Sequence, residues 1–166
     1  MGKGSFIMET MPWKVVIFNA MPEAMLLIYL GLTLIGIKPD KKRVFIAGVF
    51  QGVICYYVRK NFDFGIHILL QYLSFVILVW LFTKAPLIAS FIASIIGIII
   101  AILLESFIGI SIPYLTGITI LEIMSRDWIR IFICLPYLGT LILIAYLIDK
   151  YEFTLEQEIK ILKKIK

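Results

Sequence analysis

Residues 86–108 read PLIASFIASIIGIIIAILLESFI, and Glu105 is the only charged residue among them. A helix that crosses the hydrocarbon core of a bilayer needs about 20 mainly apolar residues, and this run is long enough. The strands of a membrane β-barrel would instead alternate apolar and polar residues over short segments. The run therefore predicts a transmembrane helix and an all-α membrane protein.

The composition of the whole chain also indicates a protein that lies in a lipid bilayer. Hydrophobic residues make up 61% of the 166 residues and charged residues 16%, whereas soluble domains carry about 25% charged residues. A soluble fold of this size has too little interior for so much apolar surface. A bilayer requires only that the backbone hydrogen bonds close internally. We therefore predict a multi-pass protein of the cell membrane.

Four further apolar segments predict, together with residues 86–108, a transmembrane helix bundle of five spans over residues 1–150. Pro22 interrupts the first segment, which predicts a break or a kink there, so that a short interfacial piece precedes a helix that properly begins near Pro22. The stretch from Gly109 to Met124 contains Pro113 and Gly117, and we interpret it as an interfacial or re-entrant connection; a short sixth span is the alternative. The predicted spans are about Trp13 to Ile37, Arg43 to Val58, Phe64 to Phe82, Pro86 to Ile108 and Asp127 to Ile148.

The Lys and Arg residues predict the orientation, because cytoplasmic loops are enriched in them. With five spans and a cytoplasmic C-terminus, ten of the 16 basic residues lie inside and six outside. The net charge of +5 is thus a feature of membrane orientation, and no aromatic-basic motif indicates nucleic-acid binding. The inner set is Lys38, Lys41, Lys42, Arg43, Lys84, Lys150, Lys160, Lys163, Lys164 and Lys166; the outer set is Lys3, Lys14, Arg59, Lys60, Arg126 and Arg130.

Small residues recur every four positions in two of the predicted helices. This spacing lets the backbone of a neighbouring helix approach closely. We interpret both rows as helix-packing residues, either inside the bundle or between subunits, and as candidates to face each other. The rows are Ala89, Ala93, Gly97 and Ala101 in the fourth helix and Gly48 and Gly52 in the second.

Polar residues gather in the predicted outer half of the bundle, whereas the inner half is almost purely apolar. Glu105 is the most informative of them, because an acidic side chain at the centre of a membrane helix costs about 2.5–3.5 kcal/mol on insertion scales. His67 is the group that ordinarily titrates near neutral pH. We predict a cavity open to the outside that binds a ligand or senses protons; the alternative is that headgroups and water merely solvate these residues. The candidate ligand-binding residues are Glu23, Asp63, His67, Gln71, Glu105 and Arg130, with Arg59 as a further countercharge.

No catalytic or metal-binding pattern is recognisable in the sequence. Cys55 and Cys134 both fall inside predicted spans, and with a single histidine they form no zinc spacing, disulfide framework or nucleophile–base pair. The sequence therefore predicts a protein that is not an enzyme and binds neither metal nor cofactor.

Residues 151–166 predict a separate cytoplasmic segment. Thr154 followed by Gln157 is a capping-box pattern, and Leu155, Ile159 and Leu162 continue an apolar helical stripe. We interpret the segment as an amphipathic helix that either begins a coiled coil or lies on anionic lipid.

These features resemble the membrane region that precedes the kinase core in quorum-sensing-type sensor histidine kinases of Gram-positive bacteria. The similarity lies in the helix start at residues 21–27 (MPEAMLL), the exit at residues 36–39 (GIKP), the start of the third helix at residues 64–67 (FGIH), and a last span that runs into a polar cytoplasmic helix. The resemblance implies a signal-input module. It implies no kinase activity, because residues 22–166 contain neither a phosphoacceptor histidine in the tail nor an ATP-binding domain.

We therefore expect a membrane sensor whose outward cavity responds to a small ligand, a peptide or a lipid, and whose C-terminal helix passes the change inward. The lipid bilayer is its first partner, and a homo-oligomer or a cytoplasmic or membrane partner protein is the second. The alternatives are a substrate-capturing subunit of a transporter and a structural or pore-forming membrane oligomer.

Overall fold

A computed structural model of the chain describes residues 12–62 and 65–155, except for the side chains of Ile120, Leu121 and Met124. Within these residues the protein contains helices and no strands. The helices are α1 (Trp13–Leu34), α2 (Lys41–Asn61), α3 (Ile66–Thr83), α4 (Leu87–Thr116), α5 (Ile120–Ser125) and α6 (Asp127–Tyr151).

Four helices, α1, α3, α4 and α6, are long and apolar enough to cross a membrane. Over the described residues, the prediction of an all-α protein with helices able to cross a membrane is thereby confirmed. The fifth predicted span corresponds to α2, which has basic residues at both ends that shorten its apolar stretch. The predicted short sixth span corresponds to α5, whose 6 residues are too few to cross a bilayer.

The first helix does not break at Pro22. Residues Val16–Ala20 form a π-helical turn directly before it, and Met21–Leu34 continue as α-helix. Proline has no N–H to donate to the carbonyl four residues earlier, and a wider turn accommodates that loss. The predicted helix start near Pro22 is therefore wrong, because α1 begins at Trp13.

The fourth helix is longer than the sequence predicts. It runs through Pro113 to Thr116 and ends at Gly117, which has a φ of +70° and donates its N–H to the Pro113 carbonyl at 2.9 Å. A positive φ costs glycine nothing, so Gly117 stops the helix where Pro113 alone does not. The predicted end of the fourth helix near Ile108 is therefore wrong, because residues 109–116 continue it.

Helix α5 lies between the spans and begins with a capping box. The backbone N–H and the hydroxyl of Thr119 both donate to Glu122 Oε2 at 3.0 Å, and the N–H of Glu122 donates back to the Thr119 hydroxyl at 3.3 Å. These hydrogen bonds to the charged form, from the backbone first and the hydroxyl second, hold the pKa of Glu122 below its ordinary value of 4.5.

We expect Thr119→Ala to return the pKa of Glu122 part of the way to 4.5, because it removes one of the two donors. A depressed pKa stabilises the folded state above the unfolded-state pKa, and this contribution is lost as the pH falls through the folded-state pKa. A carbon NMR titration of the Glu122 carboxyl in micelles measures the change. Thr116→Ala is the control, because the Thr116 hydroxyl donates to the Ile112 carbonyl instead. Equal titration curves for Thr119→Ala and the unmodified protein would contradict the assignment.

The central helix of the bundle is α1. It packs against α2, α4 and α6, while α3 packs against α2 and α4. The short connection at Lys84, Ala85 and Pro86 makes α3 and α4 antiparallel neighbours. We refer to the two ends of the bundle as the Trp13 end, where α1, α3 and α6 begin, and the Leu34 end, where they finish.

The small residues of α4 pack against α1. A Cβ on Gly97 would lie 3.0 Å from the Leu27 carbonyl oxygen, and a Cβ on Gly31 would collide with the carbonyl oxygen of Ala93. Ala89 and Ala101 are also buried. The row from Ala89 to Ala101 therefore brings the backbones of α1 and α4 together inside the bundle.

The two glycines of α2 also contact α1, at a different set of residues. A Cβ on Gly48 would strike Met25, and a Cβ on Gly52 would strike Met21. The expectation that the two small rows face each other is therefore wrong. Each row faces α1, which explains why α1 lies at the centre.

Candidate functional site

A polar cluster surrounds Glu23 in the middle of α1. The rise of 1.5 Å per residue places Glu23 about 15 Å from Trp13 and about 16 Å from Leu34 along the helix. The predicted position at the outer end of the first helix is therefore wrong, because that helix begins at Trp13. A charged group at this depth requires hydrogen-bonding or charged partners.

Tyr137 of α6 supplies the first partner. Its hydroxyl donates to Glu23 Oε1 at 2.9 Å, and the residue is only 3% exposed. Tyr137 is not among the candidate residues predicted from the sequence. A signal was available, since a tyrosine in the middle of an apolar span needs a hydrogen-bond partner for its hydroxyl.

Glu105 of α4 supplies the second partner. Its carboxyl lies within hydrogen-bonding distance of the Glu23 carboxyl. Glu23 is half-buried, whereas Glu105 is exposed at the bundle surface. The pair therefore extends from the central helix to the periphery, and the structure brings together two candidates that are 82 positions apart in the sequence.

Arginines provide positive charge near the pair. Arg59 of α2 interacts electrostatically with both Glu23 and Glu105. Arg130 of α6 lies near Cys55 and Cys134. Both arginines approach the cluster from the Trp13 end, where the sequence analysis expected countercharge.

Gln71 belongs to a neighbouring polar contact between α2 and α3. Its amide Nε2 donates to Cys55 Sγ at 2.7 Å, and its backbone carbonyl accepts from Gln51 Nε2 at 3.2 Å. Ser74 Oγ donates to Gln51 Oε1 at 3.1 Å. Polar side chains paired in this way hold membrane helices together. Gln51 and Cys55 are four residues apart and Gln71 and Ser74 are three apart, so each pair lies on one face of its helix. This spacing was a signal for a polar contact between α2 and α3.

Of the two remaining candidates, His67 is described by the structure and Asp63 is not. His67 is half-buried on α3, one turn before Gln71. Asp63 lies outside the described residues, so its role as a ligand-binding residue stays a prediction.

A second amide reaches a cysteine on the other side of the cluster. Asn19 Nδ2 donates to Cys134 Sγ at 3.3 Å, while Asn19 Oδ1 is buried and has no hydrogen-bond partner in the described part of the chain. Both cysteines are free thiols that accept hydrogen bonds from amides. Among the described residues, no group of three His, Cys, Asp or Glu side chains is arranged to hold a metal ion.

Aromatic and basic side chains form a belt at the Trp13 end. Trp13 stacks on Tyr56 with ring centroids 4.2 Å apart, and Lys14 Nζ lies 5.3 Å from the Trp128 ring centroid. Lys60 Nζ lies 5.9 Å from the Tyr56 ring centroid. Tryptophan and tyrosine rings with basic neighbours are typical of the boundary between lipid and water. The carboxyl pair therefore lies deeper in the bundle than this boundary.

At the Leu34 end, α6 finishes in a contact with α1. The Tyr29 hydroxyl donates to Asp149 Oδ2 at 2.6 Å. Helix α6 ends at Tyr151 because Glu152 adopts a left-handed φ of 50°, and the chain then turns so that the Leu155 N–H donates to the Leu34 carbonyl at 2.7 Å.

An exposed ion pair and a small cavity complete the Leu34 end. Lys38 Nζ lies 3.4 Å from Glu152 Oε1, and a cavity of about 240 Å³ lies beside this pair. The last span ends at Tyr151, three residues beyond the predicted end at Ile148. The predicted capping box at Thr154 and Gln157, and the amphipathic helix that follows it, extend outside the described residues.

Comparisons of the chain with profiles of known protein families, with curated protein sequences and with solved structures found no match.

Proposed function

We propose that the protein is a membrane sensor or signal-input module. The observation that supports this most is that one helix, α6, contacts α1 both at the polar cluster and at the exit of the chain. Tyr137 donates to Glu23, and about 18 Å further along α6 Asp149 accepts from Tyr29. A ligand that shifts α6 against α1 at Glu23 would therefore also change the contacts from which the C-terminal segment departs.

The proposal includes five spans, with α2 as the fifth. Its 21 residues correspond to about 31 Å of helix, enough for a hydrocarbon core of about 30 Å. Basic side chains such as Arg43 and Arg59 near its two ends extend along apolar surface to reach water. Helix α2 packs between α1 and α3, which are both apolar enough to cross the membrane.

The proposed orientation has the Trp13 end outside and the Leu34 end in the cytoplasm. The Leu34 end carries the predicted inner basic residues that the structure describes, namely Lys38, Lys41, Lys42, Arg43, Lys84 and Lys150. An excess of Lys and Arg marks the cytoplasmic side. The C-terminal segment is then cytoplasmic and the polar cluster is reached from outside.

In this proposal the input site consists of the Glu23–Glu105 pair with His67 and Arg130 nearer the Trp13 end. Carboxyl, imidazole and guanidinium groups together suit a polar or charged small molecule, a peptide terminus or a lipid headgroup, because each offers hydrogen bonds that such ligands can complete. Binding there displaces the existing hydrogen bond from Tyr137 to Glu23 or strengthens it. Either change acts directly on α6.

We expect a photocrosslinking amino acid at position 105 or 67 to capture a molecule added from outside the cell, identified by mass spectrometry. The matched control is position 81, since Leu81 is 59% exposed on α3 near the Leu34 end. Because the probe is added from outside, the same experiment tests the orientation. The proposal fails if positions 105 and 67 capture nothing beyond the control, and the double change Glu105→Gln, His67→Ala leaves every downstream response intact.

The transporter-subunit and pore-forming alternatives drew on the small-residue row of α4 as a docking surface. In the structure that row is used inside the bundle, where it contacts Leu27 and Gly31 of α1. The row therefore offers no free surface to another subunit, and sensing is the function that the geometry supports best.

A further inference from the structure

Two glutamates meet at the contact between α1 and α4, where the half-buried Glu23 reaches the exposed Glu105. The carboxyl groups of Glu23 and Glu105 lie within hydrogen-bonding distance of each other. An ionised carboxylate has acceptor atoms only. A hydrogen bond between two carboxyl groups therefore requires a proton on one of them.

The packing of the two helices keeps the carboxyl groups together. Gly31 lies directly against the Ala93 backbone, and Gly97 lies against the Leu27 carbonyl. Ala101, one turn before Glu105, is 7% exposed. Since these backbone contacts hold α4 on α1, the two carboxyls can separate only if the part of α4 beyond Ala101 moves away.

The charges around the pair match one negative charge better than two. Arg59 interacts electrostatically with both carboxyls, and the Tyr137 hydroxyl donates to Glu23. Two like charges at a shared site cannot both ionise without strong repulsion, so one proton stays. The titratable and charged groups that face the pair from the helices packed around it are Arg59 and Cys55 of α2, and Arg130, Cys134 and Tyr137 of α6. His67 of α3 lies one turn before Gln71.

In the segment of α4 beyond the pair, Ile108 packs against the core, but most of the other large side chains face away from the bundle. Phe107 is 72% exposed, Ile110 73% and Leu115 78%. A Cβ on Gly109 would meet no atom within 4 Å. Residues 106–116 can therefore move without breaking much intramolecular packing.

We propose that Glu23 and Glu105 hold one proton in common, and that the loss of this proton drives residues 106–116 of α4 away from α1. This inference rests on the proposed function and deepens it, because it names the proton as a ligand of the same site. The direct readout of the proton does not depend on any signalling response.

The first test is infrared spectroscopy of the full chain in lipid vesicles. At neutral pH ordinary carboxyls are ionised, because their pKa lies near 4, so a protonated carboxylic-acid band belongs to a pair of this kind. We expect the band at neutral pH, its loss at alkaline pH, and its absence from both Glu105→Gln and Glu23→Gln. Glu152→Gln is the control and keeps the band, because Glu152 is an exposed partner of Lys38. The shared proton is ruled out if the unmodified protein shows no such band, or if the band persists in both glutamine variants. This conclusion does not depend on whether Glu105→Gln alters a downstream response.

The second test measures the movement of α4. Spin labels replace Ile110 on α4 and Phe132 on α6, which are both exposed, in a chain whose two cysteines are changed to alanine. We expect the distance between the labels to increase over the same pH range in which the infrared band disappears. Adding Glu105→Gln is expected to abolish this pH dependence. A distance that stays constant while the band disappears overturns the coupling between the proton and the helix.

Discussion

Gly31→Ala is expected to lower the free energy of unfolding by about 3 kcal/mol, at the upper end of what overpacking costs. The added Cβ would collide with the carbonyl oxygen of Ala93. That atom belongs to the backbone of α4 and cannot rotate aside like a side chain, so the two helices must separate. Separation also removes the contact between Leu27 and Gly97. Unfolding followed by tryptophan fluorescence in mixed micelles measures the loss.

Gly109→Ala is the matched control for this substitution. Gly109 lies within α4, and a Cβ there would meet nothing within 4 Å. Alanine is the better helix former by about 1 kcal/mol, so we expect this variant to be as stable as the unmodified protein or slightly more stable. If Gly31→Ala and Gly109→Ala have the same stability, α4 does not pack against α1 through the small-residue row.

Tyr137→Phe is expected to cost about 1–3 kcal/mol of unfolding free energy, because it leaves an acceptor atom of Glu23 without its donor inside the bundle. The ring is retained, so packing against the rest of the core changes little. The same micelle unfolding measurement reports the difference. The substitution also removes the hydrogen bond through which, in the proposed function, α6 follows events at Glu23.

Tyr146→Phe on the same helix separates this effect from a general loss of a hydroxyl. Tyr146 is 58% exposed, and its ring interacts with Lys150 at 6.0 Å through its face, which phenylalanine retains. We expect no measurable change in stability. Equal stability of Tyr137→Phe and Tyr146→Phe would show that the Glu23 contact contributes nothing.

Part of the candidate site could be predicted from the sequence because an acidic side chain in an apolar helix must find a partner. Glu105 could be identified for this reason, and Glu23 and Arg59 lie beside it in the structure. Tyr137 could not be identified in this way, because it meets Glu23 across 114 positions of sequence. Glu23 was also predicted too near the surface, because the π-helical turn that carries α1 past Pro22 leaves no distinctive pattern.

Local features determined other parts of the fold. The stretch from Thr83 to Pro86 has four residues, which is enough only to reverse the chain between two adjacent antiparallel helices. In the structure α3 and α4 are such neighbours. By contrast, proline at 113 suggested a broken connection, whereas α4 continues to Thr116 and stops at Gly117. Only the positive φ at Gly117 ends the helix, and a sequence does not reveal which of two helix-breaking residues takes effect.

The sequence by itself determined that the protein suits a lipid bilayer and is all-α, because residues 86–108 can be stable in lipid only as a helix. The tertiary structure decided which faces of the helices meet. In a soluble protein the apolar stripe of a helix marks its buried face, but in a bilayer the outward face is apolar as well. Leu141 of α6 is fully buried and Phe132 of the same helix is 65% exposed, although both are large and apolar. The contact of α4 with α1, the central position of α1, and the meeting of Glu23 with Glu105 and Tyr137 therefore follow only from the packing.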